Sequence, residues 1–347
     1  MARPRALQHE QHRRLGRTQP LACRQAVDQR IVDPSESGEP QQEDHDVGVK
    51  IRDRGTGFGP RLAVSDRREY LDGLDWPRFP LTPLGVTIGA EVGGVDLGAE
   101  LDDAAVSEVR RALLAHKVLV FRDQTIDAAQ QLAFARRFGE LEVHPFLPGS
   151  ADEPEIVSLV KDQAVGGYEN IWHSDVTWRE RPAIGSVLRA VEVPERGGDT
   201  LWADMAMAHA GLDDETRARI ENLVAVHDFT LSFGQALRGD KLHEARATYP
   251  PVEHPVVRTH PETGERLLYV NAIFTSHIVG LAEDESEALL GRPFAQADIP
   301  EYQIRLRWAP GTVAFWDNRA TQHYASSDYW PQHRLMERAT IIGERPE

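Results

Sequence analysis

Between residues 156 and 342 the chain is a succession of short apolar runs separated by turn signals, which restricts it to a mainly β architecture. Residues 156–160, 183–193, 200–202, 224–227, 304–308, 313–316 and 338–342 each have strand length and strand patterning. Gly197-Gly198 marks a turn, and Pro261-Glu262-Thr263-Gly264, between 256–260 and 267–271, marks a hairpin. Helical patterns are concentrated earlier. Asp102 or Asp103 opens one helix, with Val106, Val109 and Leu113 on a common face. A second starts near Asp127 and stops at Gly139, with Leu132, Ala135 and Phe138 inward. Residues 84–92 alternate as a strand, 118–121 read as a buried one, and further helices are expected over 213–223 and 284–290. Many short strands with added helices predict a β-sandwich or jelly roll.

No internal repeat is present, and no Walker loop, G-x-S-x-G elbow or G-x-G-x-x-G after a strand occurs. Nucleotide, serine-hydrolase and dinucleotide functions therefore lack sequence support. The charge balance, 55 acidic against 39 basic residues, argues against nucleic acid as a partner, since phosphate neutralisation needs a basic field. One cysteine in 347 residues excludes a disulfide framework and a cysteine-based zinc site. No apolar run has bilayer-spanning length. These features predict a soluble cytoplasmic protein with no membrane partner. Residues 1–78 differ from the rest: a basic start, an acidic cluster from Asp33 to Asp46, and weak apolar periodicity. They are expected to be a disordered extension, preceding one domain over 79–347.

The first chemical signal is Trp172-His173-Ser174-Asp175-Val176-Thr177. On an extended segment, two-residue spacing sends the imidazole and the carboxylate to one face. Among 14 histidines the pair taken alone reads first as an ordinary surface or hydrogen-bonded histidine, with metal binding as the sharper alternative. His323, in Thr321-Gln322-His323-Tyr324-Ala325, is placed where a jelly roll returns a distant strand to the pair. Two histidines and one carboxylate suit a non-haem Fe(II) site with open positions, and also a hydrolytic zinc site. Arg334, Met336 and Arg338 share a face if their segment is extended. A guanidinium there can grip a carboxylate through paired hydrogen bonds, or simply decorate an edge strand.

Taken together, Trp172–Thr177, Gly197-Gly198-Asp199-Thr200-Leu201-Trp202, Trp316-Asp317-Asn318-Arg319, Thr321–Ala325 and Arg334–Arg338 resemble the taurine/2-oxoglutarate dioxygenase family. The segments 84–141 and 254–261 add to the likeness, which spans 81–346. The resemblance implies a double-stranded β-helix, the jelly-roll variant also called cupin-like, with Fe(II) held by His173, Asp175 and His323. It implies 2-oxoglutarate and O₂ as co-substrates, with Thr200 and Arg334 on the distal carboxylate of 2-oxoglutarate. It assigns the substrate anion to Arg338, His144 and the Val176 amide, and the pocket walls to Ser232, Phe233 and Phe274. A homo-oligomer is a further expectation from the family alone.

Two positions depart from the family's taurine enzymes. Leu147 replaces a tyrosine, and Glu169 replaces an asparagine, at places that help hold the substrate amine. Glu169 either pairs with an ammonium or faces solvent. Taurine or a related small sulfonate, hydroxylated next to sulfur to release sulfite and an aldehyde, is the first expected substrate. Alkyl sulfate esters are the second and aryloxyacetates the third. A metal-binding jelly roll without oxygenase activity is the alternative from another class. No catalytic acid or base beyond the metal ligands is required.

Overall fold

Alternating residues of the strand Val118–Phe121 divide two cores, and the architecture follows from that division. The computed structural model describes residues 61–147, 149, 152–163 and 170–347. Seven strands form the larger sheet, in the order Leu81–Pro83, Ala90–Val92, Val118–Phe121, Val313–Asp317, Ala183–Glu192, Arg334–Ile342 and Ile156–Lys161. Only Ala90–Val92 and Val118–Phe121 pair in parallel there. Gln303–Leu306, Thr200–Asp204 and Thr321–Ala325 form a smaller antiparallel sheet.

Val118, Val120, Leu188, Ala314, Trp316 and Met336 of the large sheet pack against Trp202, Ile304 and Leu306 of the small one. On the opposite face, Leu119, Phe121, Val187, Phe315 and Ile341 pack against the helices Asp103–His116 and Ala128–Arg136. This two-sheet arrangement, open rather than closed at its edges, is the expected jelly roll with helical additions. The helices begin as their caps predict. The Asp102 carboxylate accepts the Ala105 N–H at 2.6 Å. Asp127 and Gln130 form a reciprocal capping box. No helix among the described residues is long and apolar enough to cross a membrane.

Three expectations are corrected. Residues 84–92 are not one strand. Leu81–Pro83 and Ala90–Val92 pair antiparallel across a loop. A Cβ on Gly85 or on Gly89 would come within 2.5 Å of Ile304 side-chain atoms, and Gly89 takes a φ of +84° that glycine accommodates. The helix expected over 284–290 spans Glu283–Gln296 and passes through Pro293, where Leu289, Leu290 and Pro293 are buried together. Residues 61–78, expected to belong to the extension, contain the helix Arg61–Asp72. Its Arg67 donates to the carbonyls of Thr87 and Ala115 and pairs with Glu265. Leu71 is buried, and Trp76 lies against Phe79 and His116. Residues 1–60 lie outside the described residues.

Three histidines outside the metal-ligand group are buried in uncharged form. Burial, aided by the Arg67 charge, pulls His116 down to about 4. Burial pulls His254 to about 4 against the hydrogen bond it makes to the Arg179 carbonyl, and takes His227 well below its usual value. The unfolded chain binds these protons near pH 6.5, so the contribution is complete above that pH and is lost as the pH falls toward 4. Denaturant unfolding at pH 5 should give a stability lower than at pH 7 by roughly 1–2 kcal/mol per histidine. His116→Leu should flatten that slope, and an unchanged slope would refute the assignment.

Candidate active site

His323 is brought to His173 by the main chain. Each residue donates its N–H to the other's carbonyl, at 3.0 and 2.7 Å, so His173 extends the small sheet by one bridge. In that sheet His323 stands opposite Trp202, whose side chain faces the inter-sheet core. Asp175 lies two residues past the bridge and reaches toward the large sheet. Its carboxylate accepts hydrogen bonds from Arg338 Nη1 at 2.7 Å and Ser186 Oγ at 3.3 Å.

One donor atom from each of His173, Asp175 and His323 lies within 4.8 Å of the other two, and all three residues are buried. Asp175 Oδ1 is 3.9 Å from His173 Nε2 and 4.0 Å from His323 Nε2. The donor states suit a divalent metal. His173 Nδ1 is bonded to the Ile171 carbonyl at 2.8 Å, which puts the ring proton there and leaves Nε2 its lone pair. Burial, with His173 beside it, pulls His323 down to about 3. Burial would raise Asp175, but Arg338, His323, His173 and His144 together outweigh it and hold the carboxyl well below the usual range. The group therefore presents two imidazole nitrogens and one carboxylate, the set that Fe(II) accepts.

The turn after Asp175 is held from several sides. Ser174 Oγ donates to the Thr321 carbonyl at 2.7 Å. The Asn318 side chain bonds both main-chain groups of Asp175. Thr177 Oγ1 meets Asn271 Nδ2 at 3.0 Å and His227 Nδ1 at 2.9 Å. Val176 adopts a φ of 48°, a left-handed conformation uncommon for a β-branched residue.

The strand Arg334–Ile342 buries Arg334, Met336 and Arg338, and Met336 packs into the core between the sheets. The expected alternation is present. Arg334 lies against Gly198, where a Cβ would sit 3.3 Å from its Cδ and Nε; Gly198 has a φ of +71°. Two residues on, Thr200 Oγ1 accepts from Trp308 Nε1 at 2.9 Å.

Rings connect the metal-ligand group to a pocket wall. His173 meets Phe274, Phe274 stacks on Phe233, and Phe233 lies 5.4 Å from His144. His144 Nδ1 accepts the N–H groups of Phe146 and Leu147, which places its proton on Nε2. Nε2 is buried and has no hydrogen-bond partner among the described residues. Burial, reinforced by Arg338, pulls His144 to about 3. Ser232 lies in the turn between two short 3₁₀ segments, Phe229–Leu231 and Phe233–Ala236. Glu169 lies outside the described residues. The motifs did not reveal Phe146, Trp178, Phe229 and Tyr249, which complete the aromatic cluster. Nor did they reveal the side-chain clamp of Asn318, although that residue stood within a recognised motif.

A jelly roll with a buried His-x-Asp…His group and a pair of buried arginines on one strand fits the Fe(II)- and 2-oxoglutarate-dependent dioxygenases. The chain belongs to the taurine catabolism dioxygenase TauD, TfdA family, whose model matches residues 78–340. An alkylsulfatase of Acinetobacter baylyi is 38% identical over 275 residues, covering 77% of this chain and 86% of that protein. An alpha-ketoglutarate-dependent sulfate ester dioxygenase of Pseudomonas putida is 40% identical over 273 residues, covering 76% and 89%. The crystal structure of a taurine dioxygenase from Burkholderia xenovorans is 40% identical, with a TM-score of 0.68 over 78% of this chain and 93% of that one. The chain is thus an Fe(II)/2-oxoglutarate dioxygenase, of a family acting on sulfate esters, sulfonates and aryloxyacetates.

Proposed function

We propose that this dioxygenase oxidises the carbon that carries the ester oxygen of an alkyl sulfate, releasing sulfate and an aldehyde as 2-oxoglutarate becomes succinate and CO₂. His173, Asp175 and His323 hold the Fe(II), and Arg334 with Thr200 grips the distal carboxylate of 2-oxoglutarate. When bound, iron with 2-oxoglutarate supplies O₂ activation and the removal of a substrate hydrogen. The chain's own residues position and exclude. Arg338, His144 Nε2–H and the Val176 amide seat the sulfate, while Ser232, Phe233 and Phe274 enclose the carbon to be oxidised. Sulfate is a weak base and leaves the hydroxylated carbon without prior protonation, so no side chain acts as acid.

One observation carries this choice. The buried Nε2–H of His144 has no acceptor among the described residues and faces the influence of Arg338 within a wall of Phe146, Phe233 and Trp178. An anion on a hydrocarbon body matches one donor site in an aromatic enclosure. The sulfate ester relatives support it, and the Leu147 side chain offers nothing to a substrate amine. A sulfonate such as taurine is the second choice, favoured by the likeness to the Burkholderia xenovorans structure; Glu169 would then pair with the ammonium. The lone cysteine and the need to keep iron ferrous fit work in a reducing cytoplasm.

The test is a panel of hexyl sulfate, taurine, hexanesulfonate and an aryloxyacetate, with succinate, sulfate and sulfite all measured. Each buried methylene contributes about 0.8 kcal/mol, so hexyl sulfate should exceed taurine in kcat/KM by well over tenfold. Sulfite from taurine, without sulfate from the ester, would select the second choice.

A further inference from the structure

We propose that Asn318 is a positioning residue that sets both the Asp175 carboxylate and the Val176 amide. The inference rests on the assignment of His173, Asp175 and His323 as metal ligands and deepens it. The two histidines are held in place by pairing with each other's main chain. Asp175 lies beyond that bridge, in a turn with no strand partner. Asn318 supplies the missing pairing from its side chain. Its Oδ1 accepts the Asp175 N–H at 2.7 Å, and its Nδ2 donates to the Asp175 carbonyl at 3.0 Å and the Ala183 carbonyl at 3.2 Å.

These partners leave one orientation for the amide. An N–H must meet the oxygen, and two carbonyls use the two Nδ2 protons. The residue is fully buried, so every polar atom of its side chain is committed to this contact and to Ala183. Asn318 also donates its own main-chain N–H to the Ile184 carbonyl at 2.9 Å. It is thereby tied to the strand Ala183–Glu192, which provides Ser186 to the Asp175 carboxylate.

Asn318 lies between Val313–Asp317 of the large sheet and Thr321–Ala325 of the small one. The position of one sheet is thus passed to a ligand that must meet two histidines on the other. The hydrogen bond to the Asp175 carbonyl acts on substrate as well. That carbonyl and the Val176 N–H belong to one planar peptide, so fixing the oxygen fixes where the N–H points. The left-handed φ of Val176 is the local conformation this grip sustains.

The experiment titrates Mn(II) into metal-free full-length protein by calorimetry at 25 °C, with folding checked by circular dichroism. Loss of partners that orient metal ligands typically weakens binding by about 10–100-fold, and Asn318→Ala should do so. Ser286→Ala removes a comparably buried hydrogen bond to Ile278 N–H and should leave Mn(II) affinity within about twofold of the parent. His323→Ala serves as the reference for losing a ligand. If His323→Ala loses binding while Asn318→Ala retains parental affinity, the positioning role is overturned and the metal assignment stands. If His323→Ala itself binds normally, the metal assignment falls and the inference with it. Should Asn318→Ala not be recovered folded, Asn318→Asp is titrated instead and the same results decide. It keeps the volume but turns an oxygen toward two carbonyls.

Discussion

His323→Ala is expected to abolish measurable succinate release while leaving the fold intact. The ring contributes one of three metal donors, but the bond to His173 runs through the main chain at 3.0 and 2.7 Å and survives the change. Its register opposite Trp202 is likewise a property of the strand. Two donors remain, so Mn(II) affinity should fall by more than the roughly 10–100-fold typical of altered ligand orientation. Turnover with excess Fe(II) should fall by about 10³-fold or more. Circular dichroism and the denaturant midpoint should stay near those of the parent. Succinate release within tenfold of the parent, in metal-controlled assays, would remove His323 from the ligand set.

Arg338→Ala has a different signature, because that guanidinium serves two partners. It holds Asp175 Oδ1 at 2.7 Å with both side chains buried, and it is assigned to the substrate anion. Removing one member of a buried pair leaves an uncompensated charge and costs about 3–5 kcal/mol. Metal-free Arg338→Ala should be destabilised by that order at neutral pH, and the deficit should narrow as acid neutralises the carboxyl. Mn(II) should restore part of the loss, since a divalent cation replaces the missing charge. The substrate KM should rise by about 100-fold or more, while that for 2-oxoglutarate moves far less. Equal increases in both would place Arg338 in the co-substrate clamp and displace Arg334 from that role.

The metal group was legible in the sequence because it depends on local spacing and strand order. His173 and Asp175 stand two apart, and His323 and Arg334–Arg338 lie on strands whose alternation is visible. Asn318 was not legible. Its partner Asp175 is 143 residues away, and an asparagine after a strand reads equally as a turn residue. The aromatic wall was missed for a related reason, since Phe146, Trp178, Phe229 and Tyr249 are scattered and join only by packing. The helix Asp240–Thr248 buries none of its residues, so no apolar period announced it. Residues 84–92 misled in the opposite way. Leu84, Val86 and Ile88 alternate like a strand, yet Leu84 and Val86 are exposed, because Ile304 fills the space beside Gly85 and Gly89.

Labour within the site is divided by element. The small sheet and its one-residue bridge carry the two histidines, the large sheet carries the two buried arginines and a clamped turn carries Asp175, whereas Phe233 comes from a short 3₁₀ segment, Ser232 from the turn before it and His144 from a loop. Those connecting pieces can drift in sequence without disturbing the register that aligns His173 with His323. If Ser232 and Phe233 wall the substrate as proposed, exchanging the 229–248 segment between relatives should change substrate preference while leaving Mn(II) affinity unchanged.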